Sequence, residues 1–273
     1  MWTLERPAPS RRAGLLANTP VALVSALGAG WAAAAGLAGL GWVTPSVLRA
    51  VAITAAHGGL LAIALEWGAA EGRTRLPRGA VLVTIALIGA GAAAAVVDPR
   101  GSVLLLTAPA WLALLTLRGS LTGLGLGPRV AWRPVLAGAA LGGLLGAHLL
   151  LSASQTLGYA LRGGATAVLL LWVYDVGANV ISAECFFRGA LFNRLQRRWS
   201  FAAAATVATT ATLFRYVVDP MLPKQVEVMA GALFYLTVLS AVDCWLLWWS
   251  GSLLPGLAAS WMFFLAYRTL AIG

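Results

Sequence analysis

Glu184 and Arg188 are the residues whose types and spacing suggest chemistry. They stand in VISAECFFRGALFNRLQRR, residues 180–198, near the end of a strongly apolar stretch that begins at about Ala165. Four residues apart on a helix, a carboxylate and a guanidinium lie one above the other on the same face and can meet. A charge that deep in an apolar segment is expensive unless it is paired or faces a polar cavity, so it marks a functional site by default. The same spacing also fits an ion pair that locks helices together, or a side chain that snorkels to the interface.

The elements that must position this pair follow from composition. Of 273 residues, 60% are hydrophobic and 10% charged. The apolar residues fall in repeated runs of about the ~20 needed to cross a bilayer. This predicts an all-α, polytopic transmembrane helical bundle in contact with lipid. A formal net charge of +10 would suggest nucleic acid in a soluble protein; here the arginines fall between apolar runs, where they set topology, and no nucleic-acid partner is expected. Nine stretches stand out, at 20–43, 47–68, 80–97, 103–117, 135–151, 165–192, 201–218, 228–249 and 253–270. The fourth and fifth are short enough to tilt or lie partly in the interface, so about eight or nine spans are expected. The basic N-terminus runs into an apolar stretch with no persuasive cleavage site, which reads as a retained first span.

Loop charges support this order. Arg6, Arg11 and Arg12; Arg73, Arg75 and Arg78; Arg118, Arg129 and Arg133; and Arg194, Arg197 and Arg198 occupy alternate connections. The connections between them carry only Arg49, Arg100, Arg162 and Lys224. An excess of Lys and Arg marks cytoplasmic loops, which predicts a cytoplasmic N-terminus in what reads as a bacterial inner membrane.

Other polar groups inside apolar stretches gather in the C-terminal half. Asp175 and Asn179 share a helix with Glu184 and Arg188. The nine-residue step from Asp175 to Glu184 is half a turn at ~100° per residue, so the two pairs should face different neighbours unless Gly177 bends the helix. Arg215 and Asp243 lie on the next two helices, which makes a buried polar network with these four residues plausible. His57 and His148 read as helix-to-helix hydrogen-bonding residues, although His148 is placed where it could face a cavity. Gly/Ala-rich stretches such as 28–40 and 136–146 read as close helix packing. Cys185 and Cys244 suggest neither a disulfide framework nor a metal site. No metal-ligand spacing and no Gly-rich phosphate loop occurs, so no metal and no cofactor are expected.

Three stretches in order resemble the CPBP intramembrane proteases, the group of CAAX prenyl endopeptidases and bacteriocin-processing proteins. AECFFRGALFNRL resembles the EExxxR helix, ATLFRYVVDP stands at the FxxxH helix, and SGSLLPGLAASWMFF resembles the final GSLxPAIxxHxxxN helix. The resemblance covers roughly 117–270. Charge and hydropathy divide the rest into a basic cytoplasmic arm at 1–19 and N-terminal transmembrane helices at 20–117, and the resemblance implies a CPBP-like core at 118–273. It also implies a catalytic cluster of two glutamates, two histidines and an asparagine. Carried over residue by residue, Glu184 and Arg188 keep their motif positions. The first glutamate falls on Ala183, the second-motif phenylalanine on Phe214 and its histidine on Val218, and the third-motif histidine and asparagine on Ser260 and Phe264.

Peptide hydrolysis needs a base for water and donors for an oxyanion within hydrogen-bond reach. Valine and phenylalanine supply neither. Losing one oxyanion-type donor costs about 10²–10³ in rate. The expectation is therefore a pseudoenzyme on an intramembrane-protease scaffold, an accessory or assembly subunit that binds a transmembrane protein partner or a larger membrane complex. The alternative is an active endopeptidase in which Glu184 works with substitutes, Arg215 for positive charge and Asp175 or Asp243 for the missing carboxylate. A small-molecule carrier ranks below both, because the two halves show no convincing repeat.

Overall fold

The structure, a computed structural model, describes residues 14–156, 158–218 and 226–271, apart from the side chain of Val218. Arg6, Arg11, Arg12 and Lys224 lie outside the described residues. Nine long helices are present among those described: α1 Val21–Gly39, α2 Pro45–Gly72, α3 Ala80–Val97, α4 Pro99–Leu117, α5 Trp132–Thr156, α6 Ala165–Gln196, α7 Phe201–Val218, α8 Val226–Ser250 and α9 Leu254–Thr269. Each covers one of the nine apolar stretches. The chain is a multi-pass helical membrane protein.

Among the described residues, seven of the helices are long and apolar enough to cross a membrane. The short ones are not those the sequence suggested. The fourth stretch gains length by starting earlier: Asp98 caps it, accepting the Arg100 N–H at 2.8 Å, and Pro99 sits in the first turn, where its missing N–H costs nothing. Its first eight residues, Pro99–Leu106, wind as a 3₁₀ helix. At rises of about 2.0 and 1.5 Å per residue α4 then spans roughly 32 Å, close to the hydrocarbon thickness of about 30 Å. α5 runs to 25 residues, whereas α7 has 18 and α9 only 16.

The three arginine-rich connections among the described residues meet at one end of the bundle. Arg194 near the end of α6 bonds Glu71 at the end of α2 at 3.1 Å and the carbonyls of Leu15 and Ala17 at 2.6 and 3.0 Å. Arg197 pairs with the same Glu71, and Arg194 stacks over Trp67 at 4.0 Å. Thr74 bonds the Ser120 carbonyl at 2.8 Å, tying the α2–α3 and α4–α5 connections together. At the opposite end Arg162, before α6, bonds the carbonyl of Thr269 at 2.7 Å. The alternation expected from loop charge is thus an alternation of ends.

α6 is the central post. α2 packs on it through Trp67 against Phe186, ring centroids 5.9 Å apart. α4 approaches at Gly177, where an added Cβ would lie 2.6 Å from the Leu105 carbonyl oxygen. The last helix is held from behind by α5. A Cβ on Gly138 or Gly142 would lie 2.1 or 2.0 Å from the carbonyl oxygens of Pro255 and Ala259, so only glycine permits this approach. That is the packing role expected of the small residues in 136–146, and it sets how far Ser260 of α9 stands from α6.

Candidate functional site

α6 does not run as a plain α-helix. It winds as a π-helix over Asp175–Asn179, returns to α over Val180–Ala183 and is π again over Glu184–Phe192. π turns are rare and concentrate at functional sites, because the looser winding re-aims side chains. Here each π stretch begins at a buried acid, and each acid gathers its own cluster.

In the first cluster, Glu184 Oε1 lies 3.4 Å from Arg188 Nη1. The pair is not alone. Asp243 of α8 places Oδ2 3.9 Å from Arg188 Nη2, and Ser260 Oγ lies 3.2 Å from Glu184 Oε1 and 3.0 Å from Asp243 Oδ2. Arg188 Nη1 also donates to Thr212 Oγ1 of α7 at 3.2 Å. All five residues are buried. A hydroxyl carries one hydrogen, so Ser260 donates to one carboxylate at a time. Three buried atoms have no bonding partner among the described residues: Glu184 Oε2, Asp243 Oδ1 and Arg188 Nε. The two oxygens converge beside Gly256, both within 3.5 Å of where its Cβ would stand.

The second cluster sits one π stretch earlier. Arg268 grips Asp175 with two bonds, Nε to Oδ2 at 2.6 Å and Nη2 to Oδ1 at 2.8 Å. Asn179 donates to Asp175 Oδ1 at 2.9 Å and accepts from Arg215 at 2.8 Å. His57 completes it, 2.7 Å from Ser182 Oγ and 2.9 Å from the Tyr174 hydroxyl. The half-turn step expected of a plain α-helix is altered by the π winding: both acids meet α9, Asp175 at Arg268 and Glu184 at Ser260, and Glu184 is joined there by Asp243 of α8.

A cavity of about 400 Å³ connects much of this, lined by residues that include Asn179, Ala183, Glu184, Arg188, Thr212, Arg215, Ser260, Phe264 and Arg268. Ala183, Ser260 and Phe264, three of the four substituted motif positions, therefore face the same space as Glu184 and Arg188. The fourth, Val218, has its side chain outside the described residues. Phe214, from which the second-motif register was counted, is 67% exposed on the outside of α7; Thr212, Arg215 and Tyr216 are the α7 residues that line the cavity. His148 does not line it and instead bonds Tyr235 at 2.8 Å. No group of acids, histidines and cysteines suited to a metal ion occurs among the described residues, and Cys185 and Cys244 are buried and unpaired.

Residues 165–265 match the family model described as type II CAAX prenyl endopeptidase Rce1-like. Over that stretch, about a third of the chain, the sequence is similar to this family. The match runs from the start of α6 into α9 and takes in all three motif stretches and every residue of the first cluster. No curated protein and no solved structure matches the chain. The sequence reading did not find Arg268, whose signal was a buried Asp175 with no assigned cation. Nor did it find Thr212, or the hydroxyl contacts that Ser260 makes in place of an imidazole.

Proposed function

We propose that this Rce1-like protein binds at its membrane cavity and does not cleave, serving as an accessory or assembly subunit. The observation that carries the reading is what surrounds Glu184: Arg188, Asp243 and Ser260, with a methyl at Ala183 and a phenyl ring at Phe264. The described histidines are both engaged elsewhere, in helix-to-helix bonds. A cavity of about 400 Å³ is too small for a helix about 10 Å across, so the cavity takes a smaller ligand and a partner helix docks on the outer surface. The N-terminus lies on the cytoplasmic side of a bacterial inner membrane in this reading, supported by the arginines gathered at that end of the bundle.

The test is extraction from the native membrane in mild detergent, with identification of every chain that co-migrates. A stoichiometric partner retained by Glu184→Gln supports the reading; cleavage of a peptide by the purified chain, lost in Glu184→Gln, overturns it.

One observation favours a second reading, hydrolysis by an acid pair. Glu184 Oε2 and Asp243 Oδ1 converge with no other partner. Two carboxyls that share one proton can divide base and acid roles around a water. That mechanism requires Asp243→Asn to abolish cleavage as fully as Glu184→Gln does.

A further inference from the structure

Four arginines line the main cavity, Arg49, Arg188, Arg215 and Arg268, against one acid, Glu184. Two are neutralised, Arg188 by Glu184 and Asp243 and Arg268 by Asp175. Arg215, half-buried, is not: its partners are the Asn179 side-chain oxygen at 2.8 Å and His57 at 3.4 Å, and no carboxylate pairs with it among the described residues. A guanidinium in the last turn of α7 that faces the cavity and meets no carboxylate among the described residues attracts an anion. Buried Ser102 Oγ, which lines the same cavity, also has no bonding partner among the described residues.

Next to this cationic space is a second cavity of about 100 Å³, mainly apolar apart from Ser152, tyrosine hydroxyls and the exposed Glu227. The two cavities share four wall residues, Tyr216, Leu236, Phe264 and Tyr267. A cationic chamber of a size typical for ligands, roughly 300–1,000 Å³, adjoining an apolar slot has the polarity of an anionic amphiphile.

We propose that this pair of cavities takes the phosphate and the first few methylenes of one acyl chain of an anionic phospholipid, the phosphate on Arg215 and the chain entering the slot behind Leu236 and Phe264, with the rest of the lipid lying outside them. This deepens the binding reading above and rests on it. The guanidinium charge holds the phosphate, the cavity's excess of arginines disfavours a head group that also carries a choline cation, and the apolar slot supplies the preference for a lipid over a free anion.

The experiment uses the purified full chain in neutral detergent, with native mass spectrometry counting lipid retained per chain. Phosphatidylglycerol, phosphatidylcholine with the same acyl chains, and inorganic phosphate alone are added in parallel. Phosphatidylglycerol is expected to be retained at one per chain and to raise the unfolding temperature, with phosphatidylcholine weaker and inorganic phosphate without effect. Arg215→Gln should weaken phosphatidylglycerol on the order of fivefold, the effect of one basic residue near an anionic lipid. Arg100→Gln, exposed and off the cavity lining, should change nothing. Leu236→Trp should fill the shared wall and weaken both lipids alike. Should Arg215→Gln fail to fold, Arg215→Lys keeps the charge and should keep the binding while Leu236→Trp still weakens it.

Equal retention of the two lipids, an unchanged Arg215→Gln, or inorganic phosphate as stabilising as the lipid would overturn the proposal. If the lipid arms fail and no peptide is cut in the same preparation, the lipid proposal alone falls. Peptide cleavage there would overturn the non-cleaving reading instead.

Discussion

The two acid clusters of α6 share a helix, a winding and a depth of burial, yet they are built to opposite standards. Around Asp175 both carboxylate oxygens are held by Arg268 in a two-pronged grip, and Asn179 carries the network onward to Arg215. Around Glu184 the contacts are longer, at 3.4 and 3.9 Å for the ion pairs, and an oxygen of each acid is left over. A bidentate pair with its lone pairs spent is a structural clamp. A cluster with buried atoms to spare is where a water or a ligand completes the bonding. The Glu184 cluster is thus the loosely satisfied one, and the tightly satisfied one secures the end of α9 to α6.

The sharpest way to break this comparison is to remove one half of the clamp. Asp175→Ala leaves Arg268 without its acid and should cost about 3–5 kcal/mol, read as a lower unfolding temperature in detergent. The double variant Asp175→Leu with Arg268→Met should recover most of it. A loss no larger than that of a surface substitution would mean the clamp is not structural.

Gly142→Val comes next. Its side chain must push α9 away from the Ala259 carbonyl, at an overpacking cost of about 1–3 kcal/mol, and it should displace Ser260. Stability unchanged in that variant would show that α5 does not set the position of α9.

Glu184→Gln should cost only about 1 kcal/mol, because Arg188 keeps Asp243 and Thr212 as partners. A loss equal to that of Asp175→Ala would erase the contrast between the clusters. The smallest effect is expected for Tyr174→Phe, about 0.6 kcal/mol for one interhelical hydrogen bond in a membrane protein, since His57 retains Ser182. Hydrogen exchange of the α2 amides in that variant, compared with the unaltered chain, checks that the loss stays local.

Much of the frame was legible because hydropathy and loop charge are local properties. Nine apolar stretches became nine helices, and the arginine-rich connections met at one end as their alternation required. The length of α4 was misjudged because capping by Asp98 and 3₁₀ winding add reach that an apolar run does not display, and that of α5 because polar residues such as Arg133, Ser154 and Gln155 continue the helix past its apolar run. Within the site, the Glu184–Arg188 contact was legible from spacing alone. That Asp243 joins it, while Asp175 takes Arg268 instead, was not, since neither spacing nor composition ranks partners on different helices. His148 was a candidate for the cavity and instead bonds Tyr235, because its face of α5 looks toward α8.

The sequence by itself determined that this chain lives in a bilayer, in what order its helices cross, and that an acid and a base stand one turn apart in the middle of it. Those outcomes follow from residues near one another in the chain. Tertiary structure decided which acids share a guanidinium, which oxygens are left over, and that Ser260 stands where a hydroxyl can touch both carboxylates. These depend on how closely helices approach, set by contacts such as Gly142 on the Ala259 carbonyl and Gly177 on Leu105, between residues remote in sequence.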